Sequence, residues 1–489
     1  MNYKKANLWL IGGFTLLRLI YINLYPLIPD EAYYWQWSRH LDWSYYEQGP
    51  ILGLVIWIFT FFGHINTEFT VRLGAVVFSA FTMLVMLSIY KEAFPEDKEQ
   101  KGAFFSLLLM NSSPIYSLGA VTMMHDTIMV FFLALFIYNF MRIIKTPENN
   151  LYWSLAGFIL ALGTMSKYTM AVVYFAVLIF LLVSKFNFKK YFKGPAFFTL
   201  LFIICMTPVI YWNYTHDWAT FKYLLIRGGG NGKTAFTLKY FFELLGGQIG
   251  LISIFIIPFM FIALIKEIKT PKFSQKYFLA MLFTIGIIPF ILLSFKSRVE
   301  ANWPAFIFLP LFFLAAAYLL TLKNTKIKHI IYSAGFALLL PLQLQVVYPL
   351  IPVPDKYDPL RKIRGYKELA QEVDKQTELF ANQGPLFISA RHYQVASELA
   401  FYLKNQPQVY ILIPHESSKN YRFWNTPNAL NNKNSLFIYR EYWEHDDMKG
   451  FFKTSAIVDK IAIKRNNIIA DEYSVDFNSA YLPAHKGSK

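Results

Sequence analysis

Residues 29–50 read PDEAYYWQWSRHLDWSYYEQGP, directly after an almost wholly apolar run, Ala6–Leu27, whose one charge is Arg18. About 20 such residues are enough to cross a bilayer as a helix. Asp30 and Glu31 are then expected at the membrane surface, where Tyr and Trp belong to the interfacial belt. The belt explains the aromatics. It does not explain two adjacent carboxylates.

Working outward, the whole chain has the same character. Its 489 residues are 55% hydrophobic and 19% aromatic, with only 16% charged, well under the quarter usual in soluble domains. Mean hydropathy is +0.34. This is the composition of a polytopic membrane protein. The first apolar run is too long for a signal peptide and lacks a small-residue cleavage site, so it is expected to stay as the first membrane helix. Cys205, the single cysteine, lies in an apolar run. It excludes an intrachain disulfide and makes a poor thiolate catalyst or metal ligand.

Apolar runs predict about eleven helices, near 7–27, 71–91, 102–122, 125–143, 152–166, 168–185, 195–212, 246–265, 277–294, 304–321 and 329–348. Alternate connections read MNYKK, KEAFPEDKEQK, MRIIKTPENN, KFNFKKYFK, KEIKTPKFSQK and KNTKIKH. Each is basic, and the predicted spans put all of them on one side, the cytoplasm by the positive-inside rule. The formal charge of +16 is thereby largely accounted for, with no nucleic-acid partner. The run PILGLVIWIFTFF (50–62) is too short to span and is expected as a helix in the interface. The opposite side receives the loop 28–70, the turns at His125–Asp126, Lys167 and 295–303, the loop 213–245, and everything after Tyr348.

Beyond the Pro-rich join YPLIPVPDKYDP (348–359) the pattern changes. GYKELAQEVDKQ, PLFISA, YQVASELAFYL, QVYILI and SLFIYR alternate helix-like with strand-like segments, which predicts a small α/β domain. The expected organisation is a transmembrane module over 1–350 and an extracytoplasmic α/β domain over 351–489.

A lone carboxylate at a membrane surface is often merely solvated. Here Asp30, Glu31, Asp42 and Glu47 share one loop, and Asp126 opens another helix on the same side. Ionisable groups at the lipid boundary are costly unless paired or functional. Cations are equally out of place outside, yet FKSRVEANW (295–303) carries Lys296 and Arg298, beside Glu300 and Asn302, and MSKYT (165–169) carries Lys167. Pairing with phosphate oxygens would give them a purpose; the plainer reading is snorkelling to lipid headgroups. RGGGNGKT (227–234) imitates a P-loop, but the first glycine of GxxxxGK[ST] would fall on Arg227. A flexible loop that closes over substrate fits better. His125–Asp126 and His216–Asp217 lack the helical spacing of a zinc motif, so no cofactor is assigned; a divalent metal ion would have Glu47 and His125 as its candidate donors.

In their order, PDEAYYWQWSRHLDWSYYEQGP, VRLGAV, MMHDTIMVFF, GFILALGTMSKYTM, PVIYWNYTHDWATF, VEANWPAF, GYKELA and YQVASELAFYL resemble the bacterial GT-C glycosyltransferases. The resemblance is to the protein O-mannosyltransferases of family 39 and the lipid A aminoarabinose transferases of family 83, and it covers nearly the whole chain. It implies a helical bundle with an extracytoplasmic cavity and a sugar donor on polyprenyl phosphate. It also implies an essential acid at the end of the first helix, here Asp30, with Glu31 beside it and Asp126 as the second acid. Tyr45, Glu47 and Gln48 fall in YYEQGP, similar to the YFEKPP of the aminoarabinose transferases, whose Lys contacts lipid phosphate and whose Glu can bind an ion. Gln48 replaces that Lys, and Tyr33 stands where that family has an Arg. Two phosphate contacts are therefore missing, which counts against an aminoarabinose donor and leaves Lys167, Lys296 or Arg298 to do that work.

The expected reaction is single displacement with inversion. A carboxylate such as Asp30 takes the acceptor hydroxyl's proton, and cations stabilise the departing lipid phosphate. The acceptor is lipid A, a glycan or a protein on the periplasmic face of a bacterial inner membrane. The alternatives are a lipid or sugar transporter, which would place charge at mid-membrane on broken helices, and a membrane scaffold whose tail binds partners.

Overall fold

In a bilayer every backbone N–H and C=O must be paired within its own segment, so apolar runs fold as helices. The computed structural model describes residues 2–230, 236–269, 271–348, 364–413, 418–424, 427–440, 450–465 and 468–482. Among these, five helices are long and apolar enough to cross a membrane: Glu68–Ala93, His125–Lys145, Lys193–Thr215, Gln275–Ser294 and Lys326–Val347. A sixth crossing arises if Lys239–Ile252 and Ile257–Ile268, bent by 103°, form one broken span. The chain is a multi-pass membrane protein.

The other expected spans fall short. The first run gives Tyr3–Tyr21, a helix that carries Lys4, Lys5 and Arg18. The run 102–122 breaks before Pro114 into Lys101–Asn111 and Pro114–Gly119, because proline disfavours helical geometry in the residue before it. Asn150–Ser166 has 17 residues. Val172–Val183 and Leu309–Thr321 each follow a short 3-10 turn. The run 50–62 forms the helix Ile51–Phe59 of 9 residues; at about 1.5 Å per residue it is too short to span.

The chain divides into two units, one of Met1–Leu24 and Asp42–Pro349, the other of Tyr25–Leu41 and Leu350–Lys489. Most of the Pro-rich join, residues 349–359, lies outside the described residues. Residues 25–41, read above as part of the first loop of the transmembrane module, group with the tail.

The first unit packs around aromatic side chains, with Phe140 stacked on Phe278 at 4.4 Å and every ring of that cluster buried. Gly157 lets two helices touch: a Cβ there would lie 2.3 Å from the Phe198 carbonyl oxygen. Arg72 of the VRLGAV segment is buried and donates to the Ile22 carbonyl at 3.1 Å, just past the first helix, where a cation also offsets the helix dipole. Arg18 is buried too, donating to Ser79 Oγ at 3.2 Å and to Asn111 Oδ1.

The second unit carries a five-stranded mixed sheet in the order β2-β1-β3-β5-β4. Its strands are β1 (Leu386–Ala390), β2 (Val409–Tyr410), β3 (Asn434–Arg440), β4 (Phe452–Arg465) and β5 (Ile468–Tyr481). β1 runs parallel to β2 and β3, β5 is antiparallel to β3, and β4 and β5 pair antiparallel. The helix Tyr366–Phe380 buries Tyr366, Leu369, Ala370 and Val373, the i, i+3, i+4, i+7 face of an amphipathic helix. Phe380 stacks on Phe477 at 4.5 Å.

The aromatic run has a different purpose from the one expected. In the helix Pro29–Arg39, Tyr33, Trp35 and Trp37 are 1%, 0% and 0% exposed. They are covered by protein, and of the aromatic residues in this stretch only Trp43 is largely exposed. Trp35 meets Phe401 edge-on at 5.0 Å, and the Tyr33 hydroxyl accepts from Asn420 N at 3.1 Å and Nδ2 at 2.7 Å. His40 stacks on Trp424 at 4.7 Å and faces Gln408 Oε1 at 3.2 Å.

Burial holds the His40 imidazole below its ordinary value of 6.5; the Gln408 contact opposes the shift and Arg39 adds to it. An unfolded His40 takes up a proton near pH 6.5 while the folded one stays neutral, so this stabilisation is present above that pH and lost as pH falls below it. The melting temperature in detergent is expected to drop from pH 7.5 to pH 5.5 by more in the wild type than in His40→Gln. Equal drops would refute the assignment.

Candidate active site

The acid pair at 30–31 follows from how the helix starts. Pro29 occupies the first helical turn, where its missing N–H costs nothing, and Glu31 reaches back to accept the Ile28 N–H at 3.1 Å. Glu31 is fully buried in this capping role. Asp30, one residue earlier, is only partly buried and turns to the tail: its Oδ1 accepts from Tyr393 Oη at 3.0 Å and from Gln394 Nε2 at 3.4 Å. A carboxylate in a first helical turn is further favoured by the dipole. Of the two acids, Asp30 is the one that keeps some exposure.

In the first unit the second acid, Asp126, lies in the opening turn of His125–Lys145. Lys167 Nζ contacts its Oδ1 at 2.7 Å, and Asn302 Nδ2 donates to its Oδ2 at 3.4 Å. The lysine side chain is 5% exposed and the aspartate 21%. The backbone on both sides of Lys167 is held. Ser166 O accepts the His125 Nδ1–H at 2.8 Å, and Tyr168 N donates to Gln48 Oε1 at 2.9 Å. Gln48, which stands where the aminoarabinose transferases carry a phosphate-contacting Lys, thus braces the backbone beside Lys167. Asp126 also lines a cavity with Arg18, Ser79, Tyr116 and Thr127 that offers ≈ 40 Å³ to water centres, room for a few waters.

The loop that carries Gln48 is anchored on two sides. Trp212 Nε1 donates to Asp42 Oδ2 at 2.7 Å, and Thr220 Oγ1 donates to the Tyr45 carbonyl at 2.9 Å. Burial pushes the Tyr45 phenol up, so it remains a neutral hydroxyl. Gly49 lies against the helix end before Lys167: a Cβ would fall 2.2 Å from the Met165 carbonyl oxygen. Gly49→Ala is therefore expected to push this loop off Met165 and lower the melting temperature by several degrees, and a wild-type melt would refute the contact.

Glu47 accepts from Tyr223 Oη at 3.4 Å, and Arg227 hydrogen-bonds the same hydroxyl. The Arg227 guanidinium lies 5.2 Å from the Trp303 ring centroid. Arg298 is exposed and 3.8 Å from Glu300, and Lys296 is exposed on the same turn. Of the expected cations, then, Lys167 joins an acid in a buried pair, whereas Lys296 and Arg298 do not reach Asp126.

Three residues of interest escaped the sequence reading. Arg227 was visible only as the residue that spoils a P-loop, although it is a cation on the expected outer side. Residues 231–234 of that stretch lie outside the described residues. Tyr393 and Gln394 open the YQVASELAFYL segment but lie more than 360 positions from Asp30 in the chain, and nothing in that segment points to an acid so far away. For the metal reading, no group of three or more His, Cys, Asp or Glu side chains suited to an ion occurs among the described residues. His125 gives its Nδ1–H to the Ser166 carbonyl and Glu47 accepts from Tyr223, and neither belongs to such a group.

Comparison with known proteins adds three findings. The family model of the dolichyl-phosphate-mannose-protein mannosyltransferases matches residues 47–212, which include the Gln48, Asp126 and Lys167 segments. The lipid A galacturonosyltransferase RgtD of Rhizobium johnstonii is 24% identical over 376 residues, 75% of this chain and 77% of the relative. The crystal structure of ArnT from Cupriavidus metallidurans bound to undecaprenyl phosphate superposes with a TM-score of 0.66 at 13% identity, covering 98% of this chain and 99% of that one. Its apo form gives 0.64, covering 98% of each chain, also at 13% identity. With its membrane helices and its tail sheet the chain shares the fold of the ArnT structures, and in sequence it is similar to the glycosyltransferases named above.

Proposed function

We propose that this enzyme transfers a sugar from a polyprenyl-phosphate donor, of the undecaprenyl class, to lipid A, a glycan or a protein on the periplasmic face of a bacterial inner membrane. The observation that carries the reading is the buried Lys167 paired with Asp126 at a helix end, a cation preorganised for an anionic headgroup. The undecaprenyl phosphate of the ArnT structure and the lipid A named for RgtD support this donor class and favour lipid A among the acceptors.

In the proposed reaction Asp30 takes the proton of the acceptor hydroxyl as its oxygen bonds to the anomeric carbon. The bond from that carbon to the lipid-phosphate oxygen breaks, and its electron pair leaves with the phosphate. A cation stabilises the departing charge, and Lys167 is the candidate that the first unit offers. One displacement inverts the anomeric centre. The departures at Tyr33 and Gln48 count against an aminoarabinose donor.

The test is a panel of undecaprenyl-phosphate sugars given to membranes that lack any native copy and carry this protein. Free undecaprenyl phosphate and a glycosylated product are expected with one donor. Movement of labelled lipid across vesicles, with no sugar transferred from any donor, would refute the reading in favour of transport.

A further inference from the structure

The tail has no assigned role, yet it holds the residue on which the proposed reaction turns. Asp30 Oδ1 receives two hydrogen bonds, both from the first turn of the tail helix Tyr393–Tyr402. The Tyr393 donor is held on two sides. The Tyr393 ring meets the Tyr33 ring at 4.7 Å and lies under the Lys419 ammonium at 5.2 Å. The same helix is fastened to residues 25–41 at its far end, where the Tyr402 hydroxyl accepts from Leu27 N at 2.8 Å and Phe401 packs on Trp35.

Both bonds fall on the same carboxylate oxygen, so they fix the rotation of the carboxyl group. Oδ2 makes no hydrogen bond among the described residues and is the oxygen left to accept a proton. A general base acts only when the accepting oxygen lies in line with the hydroxyl, and small misplacements are expensive in rate.

We propose that Tyr393 and Gln394 of the tail are positioning residues for Asp30, orienting its carboxylate so that Oδ2 faces the acceptor hydroxyl. The tail is then a working part of the catalytic machinery. This inference rests on Asp30 acting as the base.

The experiment uses the full-length protein with the donor identified as above, and compares Tyr393→Phe, Gln394→Ala, the pair, and each in an Asp30→Asn background. Tyr393→Phe keeps the ring contacts and removes one oxygen, so the melting temperature is expected to stay at the wild-type value. Its kcat is expected to fall about 10-fold, as for a lost hydrogen bond to a charged acceptor, with KM for donor and acceptor unchanged. Gln394→Ala, which loses the longer bond, is expected to lose less, and neither change is expected to lower the residual rate of Asp30→Asn.

Wild-type kcat in the Tyr393→Phe, Gln394→Ala pair overturns the inference while the proposed function stands. So does a raised KM with kcat unchanged, or an equal loss in the Asp30→Asn background, since the effect would then bypass Asp30. Full activity of Asp30→Asn itself would instead remove the base on which both readings depend.

Discussion

Asp30→Asn is expected to lower turnover by about 10²- to 10⁴-fold, the usual contribution of a positioned general base, while the protein folds and still binds donor. The substitution keeps shape and takes away the basic oxygen. An Asn carbonyl can still accept the Tyr393 hydroxyl that now bonds Oδ1. The helix start is retained because Glu31, not Asp30, caps Ile28 and Pro29 presets the first turn. A wild-type melting temperature with turnover lost would assign the carboxylate to the chemical step. Turnover within about twofold of wild type would eliminate Asp30 as the base, whatever the fold.

Lys167→Met is expected to be the most damaging single change in the first unit, for two separable reasons. It leaves Asp126 partly buried with no cation, and breaking such a pair costs on the order of 3 kcal/mol. It also removes the charge proposed to hold the lipid phosphate. Lys167→Met with Asp126→Asn separates the two. The double variant is expected to recover most of the stability, since Asn302 and the new amide remain mutually satisfiable, yet to stay inactive. Recovered activity with recovered stability would make the pair a purely structural feature and shift phosphate binding to another cation such as Arg227. The read-outs are thermal melting in detergent and release of undecaprenyl phosphate.

Much of the fold was legible in local pattern. GYKELAQEVDKQ has a helical period and is the helix Tyr366–Phe380; PLFISA and SLFIYR are short apolar runs and are β1 and β3. The acid at the end of the first run and the acid after Met124 were marked by charge where charge is costly. Pattern misled where a packed neighbour and a membrane ask for the same side chains. Tyr33, Trp35 and Trp37 are what an interfacial belt would use, and equally what a protein interior uses; their near-zero exposure decides for the interior. The same ambiguity bears on the count of spans, of which five or six meet the length and apolarity of a crossing among the described residues. Buried helices of a membrane protein need not be long, and Leu309–Thr321 is apolar where protein covers it.

By itself the sequence determined the class of the molecule: an apolar chain with basic loops on alternate connections, acids and cations kept at helix ends, and an α/β tail. These follow from composition and short-range periodicity. Only the tertiary structure decided which charges meet. Lys167 joins Asp126 and Asn302, Gln48 supports a backbone amide, Glu31 becomes a cap, and Asp30 is held by a helix from the far end of the chain. Hydrogen bonds reach about 3 Å and ion pairs little further, so partners are chosen by where folding brings the backbone. Separation along the chain carries no trace of that choice.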